Sequence, residues 1–257
     1  MKVVTLSWFM MARQLRGVSR SPFLIGINLI QPILWLLLFS SLFSSIVQIP
    51  GFSSNSYLEF FSPGIVVMST LLAGNFVGMS TVVDLKQGVL NRFLVSPVQR
   101  TPIIFGPLLQ NGVTMIVQAL IIIGLAFAMG ARFSGGISGI VVLIVASVLL
   151  GMAFGALSIA LSLVVRKEEG IISAGNLLTM PLIFLSSLFM PLDLVPKWIQ
   201  TMASFNPVNW SIEAGREALG ATVNWNVVSL NLTLLATFLV IAVLLAVRIF
   251  INYQRSV

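Results

Sequence analysis

Cysteine and histidine are both absent from the chain. Without them there is no disulfide framework, thiol nucleophile, Cys/His metal site or histidine base, and cysteine usage carries no information on the redox compartment. Charge is scarce as well. Asp, Glu, Lys and Arg make up 8% of the 257 residues, against roughly 25% in soluble domains. No lysine follows a glycine: the four stand after Met1, Leu85, Arg166 and Pro196. That excludes a phosphate-cradling P-loop, which needs Gly-Lys, so the chain is not itself a P-loop ATPase. The long apolar runs contain no acid or base, and Glu59, Glu213 and Glu217 fall only at their outer ends. Proton-coupled carriers keep ionisable relays inside the membrane, so this absence weighs against an ion-driven carrier, although a Na⁺ site of carbonyls and hydroxyls escapes the test. A membrane-embedded hydrolase is disfavoured too, because no serine in the runs has a histidine or carboxylate beside it to activate it.

Apolar residues dominate, at 58% of the chain. A core of this size cannot hide that much apolar surface, so a bilayer is the natural solvent. Spans need roughly 20 apolar residues each. Six stretches are free of Asp, Glu, Lys and Arg: 22–47, 60–81, 103–129, 138–165, 171–190 and 227–247. Backbone groups in lipid must be satisfied internally, so all six are expected to be α-helices of an all-α, polytopic membrane protein. The remaining pieces are too short for a separate soluble domain, and 1–257 reads as one transmembrane domain. The first run begins near Ser21, is too long for a signal-peptide h-region and has no convincing small-residue cleavage site. The net charge of +7 sits at the ends of the runs, which suits membrane orientation better than nucleic acid. Eleven Lys/Arg lie on the side of both termini and the 82–102 and 166–170 loops, against Arg132, Lys197 and Arg216 on the other. The positive-inside rule then places both termini in the cytoplasm.

Three segments outside the runs are unusual. The stretch DLKQGVLNRFLVSPVQRTP, 84–102, is polar between two apolar runs and cytoplasmic in this topology. From Asp84 to Val95 it can form a short helix, with Leu85, Val89, Leu90, Phe93 and Leu94 on a broad apolar side and Asp84, Gln87 and Asn91 opposite. Lys86 intrudes on that side and Arg92 borders it, and Ser96-Pro97 ends the helix. It is either a solvated loop against the headgroups or a docking helix for a cytoplasmic partner. In residues 1–21, Trp8, Met11, Ala12 and Leu15 share one helix face while Arg13, Arg16 and Arg20 cluster elsewhere. Such a helix lies in the interface over anionic lipid, or offers the same partner a second surface. In the outer segment 191–220, Trp198, Ile199, Met202 and Phe205 can line one short helix, Asn206-Pro207 breaks it, and a second can run from about Val208 to Leu219. Re-entrant half-helices and an ordinary outer loop with aromatic anchors fit equally well.

The runs also hold amides: Asn28, Gln31, Asn75, Gln110, Asn111, Gln118, Asn176 and Asn231. Unpaired amides are costly in lipid, so each faces another helix or a cavity. Asn28, Gln31, Asn75, Gln118 and Asn176 are the candidates for lining a substrate path. Gly74, Gly78, Gly151 and Gly155 make two small-xxx-small pairs that let helices approach closely.

Three segments carry a resemblance: YLEFFSPGIVVM, GVLNRFLVSPVQRTPIIFGPLL and FLSSLFMPLDLVPKWIQTMASFNPVNW. Together they resemble the membrane (permease) subunit of a type-2 ATP-binding-cassette (ABC) exporter, in the daunorubicin-resistance-like branch, over nearly the whole chain. The run Phe189, Pro191, Pro196, Trp198, Asn206, Pro207 is the more specific motif, and Gly88, Leu90, Leu94, Ser96, Pro97 the less specific one. The resemblance implies that 84–96 is a coupling helix docked on a separate ATPase, through Asp84, Lys86, Gln87, Leu90, Arg92, Phe93 and Ser96. It implies that 1–21 is a connecting helix and 191–220 a re-entrant outer pair. It further implies a non-catalytic permease in a prokaryotic cytoplasmic (inner) membrane, beside membrane lipid. Its partners would be a second permease, identical or homologous, and two P-loop ATPase subunits that hold the ATP and Mg; this chain would bind no cofactor. Family members often carry acids where this chain has Gln87 and Asn91, which leaves specific salt bridges to the ATPase in doubt. The cargo would be an amphipathic drug, a lipid-like molecule or a glycan, with multidrug resistance as the expected role. An ion-coupled secondary carrier or channel without an ATPase is the alternative, and a membrane scaffold without transport a third reading.

Overall fold

The computed structural model describes residues 22–49, 52, 56–86, 102–165 and 167–255, and among them the chain is helical with no strand. Nine α-helices follow in order: α1 Pro22–Leu42, α2 Tyr57–Asn75, α3 Val77–Lys86, α4 Pro102–Ala128, α5 Gly136–Val165, α6 Glu168–Phe184, α7 Lys197–Ser204, α8 Pro207–Leu219 and α9 Trp225–Arg255. Two 3₁₀ turns, Ser44–Gln48 and Leu192–Leu194, follow α1 and precede α7. The 1–21 segment and most of 84–96 lie outside the described residues.

Among the described residues, four helical stretches are long and apolar enough to cross a membrane: Tyr57–Val83, Phe105–Ala128, Gly136–Val165 and Trp225–Asn252. The first and fifth runs come out shorter than the sequence suggests. The first, expected as one helix over 22–47, ends its α-helix at Leu42. Ser40 and Ser41 donate back to the Leu37 carbonyl and Ser44 to that of Ser41, and such local bonds compete with the helical ladder. The fifth, expected over 171–190, begins earlier, at Glu168, and stops at Phe184. The Leu182 and Leu185 carbonyls at its end bond a distant side chain instead of continuing the ladder, as described below.

α5 is the hub, packing on α2, α3, α4, α8 and α9. Close approach there comes from small residues, because lipid supplies no hydrophobic drive between helices. A Cβ on Gly74 would fall 2.3 Å from the Gly151 carbonyl oxygen, and one on Gly78 2.3 Å from that of Ser158. Two apolar clusters form around this contact. One gathers α1, α2, the first half of α5, α8 and Leu188; the other gathers Val77 of α3, Leu108, the second half of α5 and the end of α9. Side chains turned away from both are large and apolar, among them Leu38, Leu42, Leu120, Leu230 and Leu244. Nearly all of α2 is buried, and its start joins an aromatic cluster in which Phe61, Tyr57, Phe39 and Phe189 lie ring to ring with Trp35 and Phe184.

Candidate functional site

The coupling candidates divide at the edge of the described residues. Asp84 and Lys86 lie in the last turn of α3, which continues from Val77, so the helix expected to start at Asp84 is at that point the tail of the preceding one. Gln87, Leu90, Arg92, Phe93 and Ser96 fall outside the described residues.

The path candidates separate by burial. Asn75 and Gln118 are buried, whereas Gln31 and Asn176 are exposed. Asn28 lies on α1, but the surroundings of its side chain fall outside the description. Asn75 ends α2 and donates from Nδ2 to Thr179 Oγ1 on α6. Its own carbonyl accepts from Ser158 Oγ, which in turn accepts from the Gly78 amide at 3.0 Å. Asn111 of α4 donates to the Ala73 carbonyl at 3.3 Å. The end of α2 is therefore tied by side chains to α4, α5 and α6. Thr179 and Ser158 escape sequence reasoning, because hydroxyls on apolar helices are common and nothing in their spacing sets these two apart.

Asn176 sits differently. Ser173, Asn176, Leu177, Met180 and Phe184 follow helical spacing along one exposed face of α6. Leu177 is 76% exposed and Phe184 63%. The opposite face carries the buried Ile171, Thr179 and Ile183. An amide and a hydroxyl thus stand uncovered on a helix whose other exposed side chains, beyond Glu169 in the first turn, are apolar. By contrast, the shallow groove between α5 and α9 offers no polar handle. Its Thr233 and Thr237 hydroxyls donate back to the Ser229 and Thr233 carbonyls at 2.7 and 2.8 Å.

The 191–220 segment is held chiefly by Asn206 and Arg216. Asn206 donates from Nδ2 to the Leu182 and Leu185 carbonyls at 2.6 and 2.8 Å, closing the end of α6. Its Oδ1 accepts from the Val208 amide at 2.9 Å, capping α8, where Pro207 takes the first helical position. Pro191 is buried; Pro196 caps α7, on which Trp198 is 62% exposed. Arg216 of α8 donates from Nε to the Phe60 carbonyl at 3.1 Å and from Nη2 to the Leu188 carbonyl at 3.3 Å. Its guanidinium lies 3.6 Å from the centre of the Phe60 ring. Burial pushes Arg216 down to about 9, against the opposing pull of Tyr57 and Glu213, so it stays a cation at neutral pH. Tyr57 donates to the Phe189 carbonyl at 3.1 Å, and Asn209 accepts from the Ser187 amide at 3.0 Å. These bonds hold 185–190 and α8 against the start of α2.

Among the described residues no group of three or more acidic or metal-ligating side chains could hold a metal.

A model of the ABC-2 type transporter family matches residues 5–219. The daunorubicin resistance ABC transporter permease protein DrrB1 of Streptomyces coeruleorubidus is 26% identical over 223 residues, 87% of this chain and 78% of the relative. A Porphyra purpurea chain carrying the name transport permease ycf38 is 32% identical over 212 residues, 81% of this chain and 72% of its own. A Mycobacterium tuberculosis chain named as the doxorubicin resistance ABC transporter permease DrrC is 25% identical over 228 residues, 89% of this chain and 80% of its own. The chain is a multi-pass membrane permease that belongs to the ABC-2 type transporter family and stands with its daunorubicin-resistance-like branch.

Proposed function

We propose that the chain is the permease half of an ATP-driven exporter, with six spans and both termini in the cytoplasm. Residues 84–96 dock on a separate ATPase subunit, two of which bind the ATP and Mg. Two permease subunits, identical or homologous, enclose a path, and the outer segment 191–220 closes it from outside. The cargo is an amphipathic drug, a lipid-like molecule or a glycan, and the membrane is the cytoplasmic membrane of a prokaryote. The observation that carries the reading is the exposed face of α6, with Ser173 and Asn176 uncovered in mid-helix. Lipid disfavours such groups, whereas a path shared with a second subunit would use them. Relatives named for daunorubicin and doxorubicin resistance make an amphipathic drug the first cargo to try.

The test is purification of the tagged protein from its native membrane in mild detergent, with mass spectrometry and an ATP hydrolysis assay. A stoichiometric P-loop ATPase is expected, lost on Arg92→Glu or Phe93→Asp while the permease still reaches the membrane. An ATPase-free protein that moves solute in liposomes would make it a carrier or channel instead. Loss of membrane expression in both variants would count against a docking role for 84–96.

A further inference from the structure

We infer that Asn75, Ser158 and Thr179 form the joint through which movement at the cytoplasmic end of α3 is passed to α6, with Asn75 as the positioning residue. The inference rests on the reading of the chain as an ATP-driven permease.

The helix from Tyr57 to Lys86 is interrupted at one residue, Phe76. Its backbone stays near the helical region, at φ −86° and ψ −5°, and the next turn closes through a bond from the Met79 amide to the Phe76 carbonyl at 3.1 Å. An interruption inside an apolar span leaves backbone groups in need of partners, and serine and threonine side chains commonly supply them. Here one hydroxyl serves both sides of the break. Ser158 Oγ donates to the Asn75 carbonyl before it and accepts from the Gly78 amide after it. Glycine at 78 is required for this, since a Cβ would collide with the Ser158 carbonyl. The break is therefore held open by a dedicated partner on α5.

The two sides of the break also belong to different packing units. Leu71 of α2 lies in the apolar cluster with α1 and α8, whereas Val77 of α3 lies in the one with the end of α9. A tilt of α3 about Phe76 can leave α2 seated as far as Leu71 while Asn75, next to the break, turns with α3.

The third observation is where the joint leads. The Asn75 side chain donates to Thr179, which is 1% exposed on the inner face of α6. Gly175, one turn earlier, packs on the same amide: a Cβ there would stand in ordinary contact, 3.6 Å from Asn75 Cβ. α6 is otherwise lightly packed, and its far face carries Ser173 and Asn176. A bond at the fulcrum thus links the helix entering the cytoplasmic loop to the helix presenting the polar face. Buried and shielded from water, that bond has no solvent competitor.

The test uses the complete complex with its co-purified ATPase, in nanodiscs. The native chain has no cysteine, so a trifluoromethyl tag can be placed on Val83→Cys of α3 or Leu177→Cys of α6, both exposed positions, and read by fluorine NMR. With ATP and vanadate, both signals are expected to shift in the otherwise unaltered permease. In Thr179→Val, which keeps the shape and loses the acceptor, the Val83 signal still shifts and the Leu177 signal stays at its nucleotide-free position. Asn75→Ala gives the same split, and Thr179→Ser restores the Leu177 shift. A Leu177 shift of full size in both Thr179→Val and Asn75→Ala overturns the inference, and so does failure of both variants to fold while Thr179→Ser folds, which would make the bond a packing element only. If no ATPase co-purifies, or Val83 does not respond to nucleotide, the permease reading itself fails and the inference goes with it.

Discussion

Replacing Asn206 by alanine removes three hydrogen bonds at once, two to the end of α6 and one to the start of α8. An N-cap is worth about 1 kcal/mol, and each further bond contributes on the order of 1 kcal/mol net. The expected loss is about 2–3 kcal/mol, a fall in melting temperature of roughly 5–10 °C for a chain of this size, measured on the detergent-solubilised protein. Asn206→Asp should be worse than alanine, because it turns a carboxylate oxygen toward the Leu182 and Leu185 carbonyls; a milder effect than alanine would show that another donor closes α6. Glycines offer a matched pair. Gly74→Ala places a methyl 2.3 Å from the Gly151 carbonyl, where backbone rather than a flexible side chain has to yield, at a cost of about 1–3 kcal/mol. Gly124→Ala meets nothing within 4 Å and should leave the melting temperature unchanged or raised.

At the scale of the helix, Arg216 fastens α8 to the start of α2 and to Leu188. Arg216→Met keeps the aliphatic stem but removes the bonds to the Phe60 and Leu188 carbonyls and the cation over the Phe60 ring. Hydrogen exchange is expected to rise in 185–190 and the first turns of α8 and to stay unchanged in α5; a uniform rise would mean that the substitution loosens the whole fold. The outer segment also shows what a sequence reveals of an element. Asn206-Pro207 was readable as a helix boundary, because proline and a capping amide act locally. That the same amide also closes α6 was not, since Leu182 and Leu185 are more than 20 residues away and nothing in their own identity marks them. The same limit applies inside the membrane. Composition marked Asn75 as an amide needing a partner, but not that Thr179, 104 residues on, supplies it. Run length overestimated α1 and α6, because it counts apolar residues and misses the serine back-bonds of α1 and the distant Asn206 amide that closes α6.

At the scale of the molecule, the charge asymmetry and the helices make one claim that a cysteine-free chain tests directly. Exposed residues in the connections carry the topology: Ser134 lies between α4 and α5, and Lys167 precedes α6. Positive charge crowds the Lys167 side, so that side faces the cytoplasm if the positive-inside rule holds. A membrane-impermeant maleimide added to intact cells should then label Ser134→Cys and leave Lys167→Cys unlabelled until the membrane is opened. In the proposed six-span topology Trp198→Cys on α7 belongs with Ser134, since there α4 and α5 would bring the chain out and back and α6 would return it to the outer side. Labelling of Lys167→Cys from outside would invert the whole topology, place 84–96 outside the cell and remove any contact with a cytoplasmic ATPase. Labelling of Ser134→Cys but not Trp198→Cys would be more specific. It would keep the orientation and mean that α7 lies shielded in lipid, as half-helices dipping into the outer leaflet would, with the exposed Trp198, Met202 and Phe205 as the buried side.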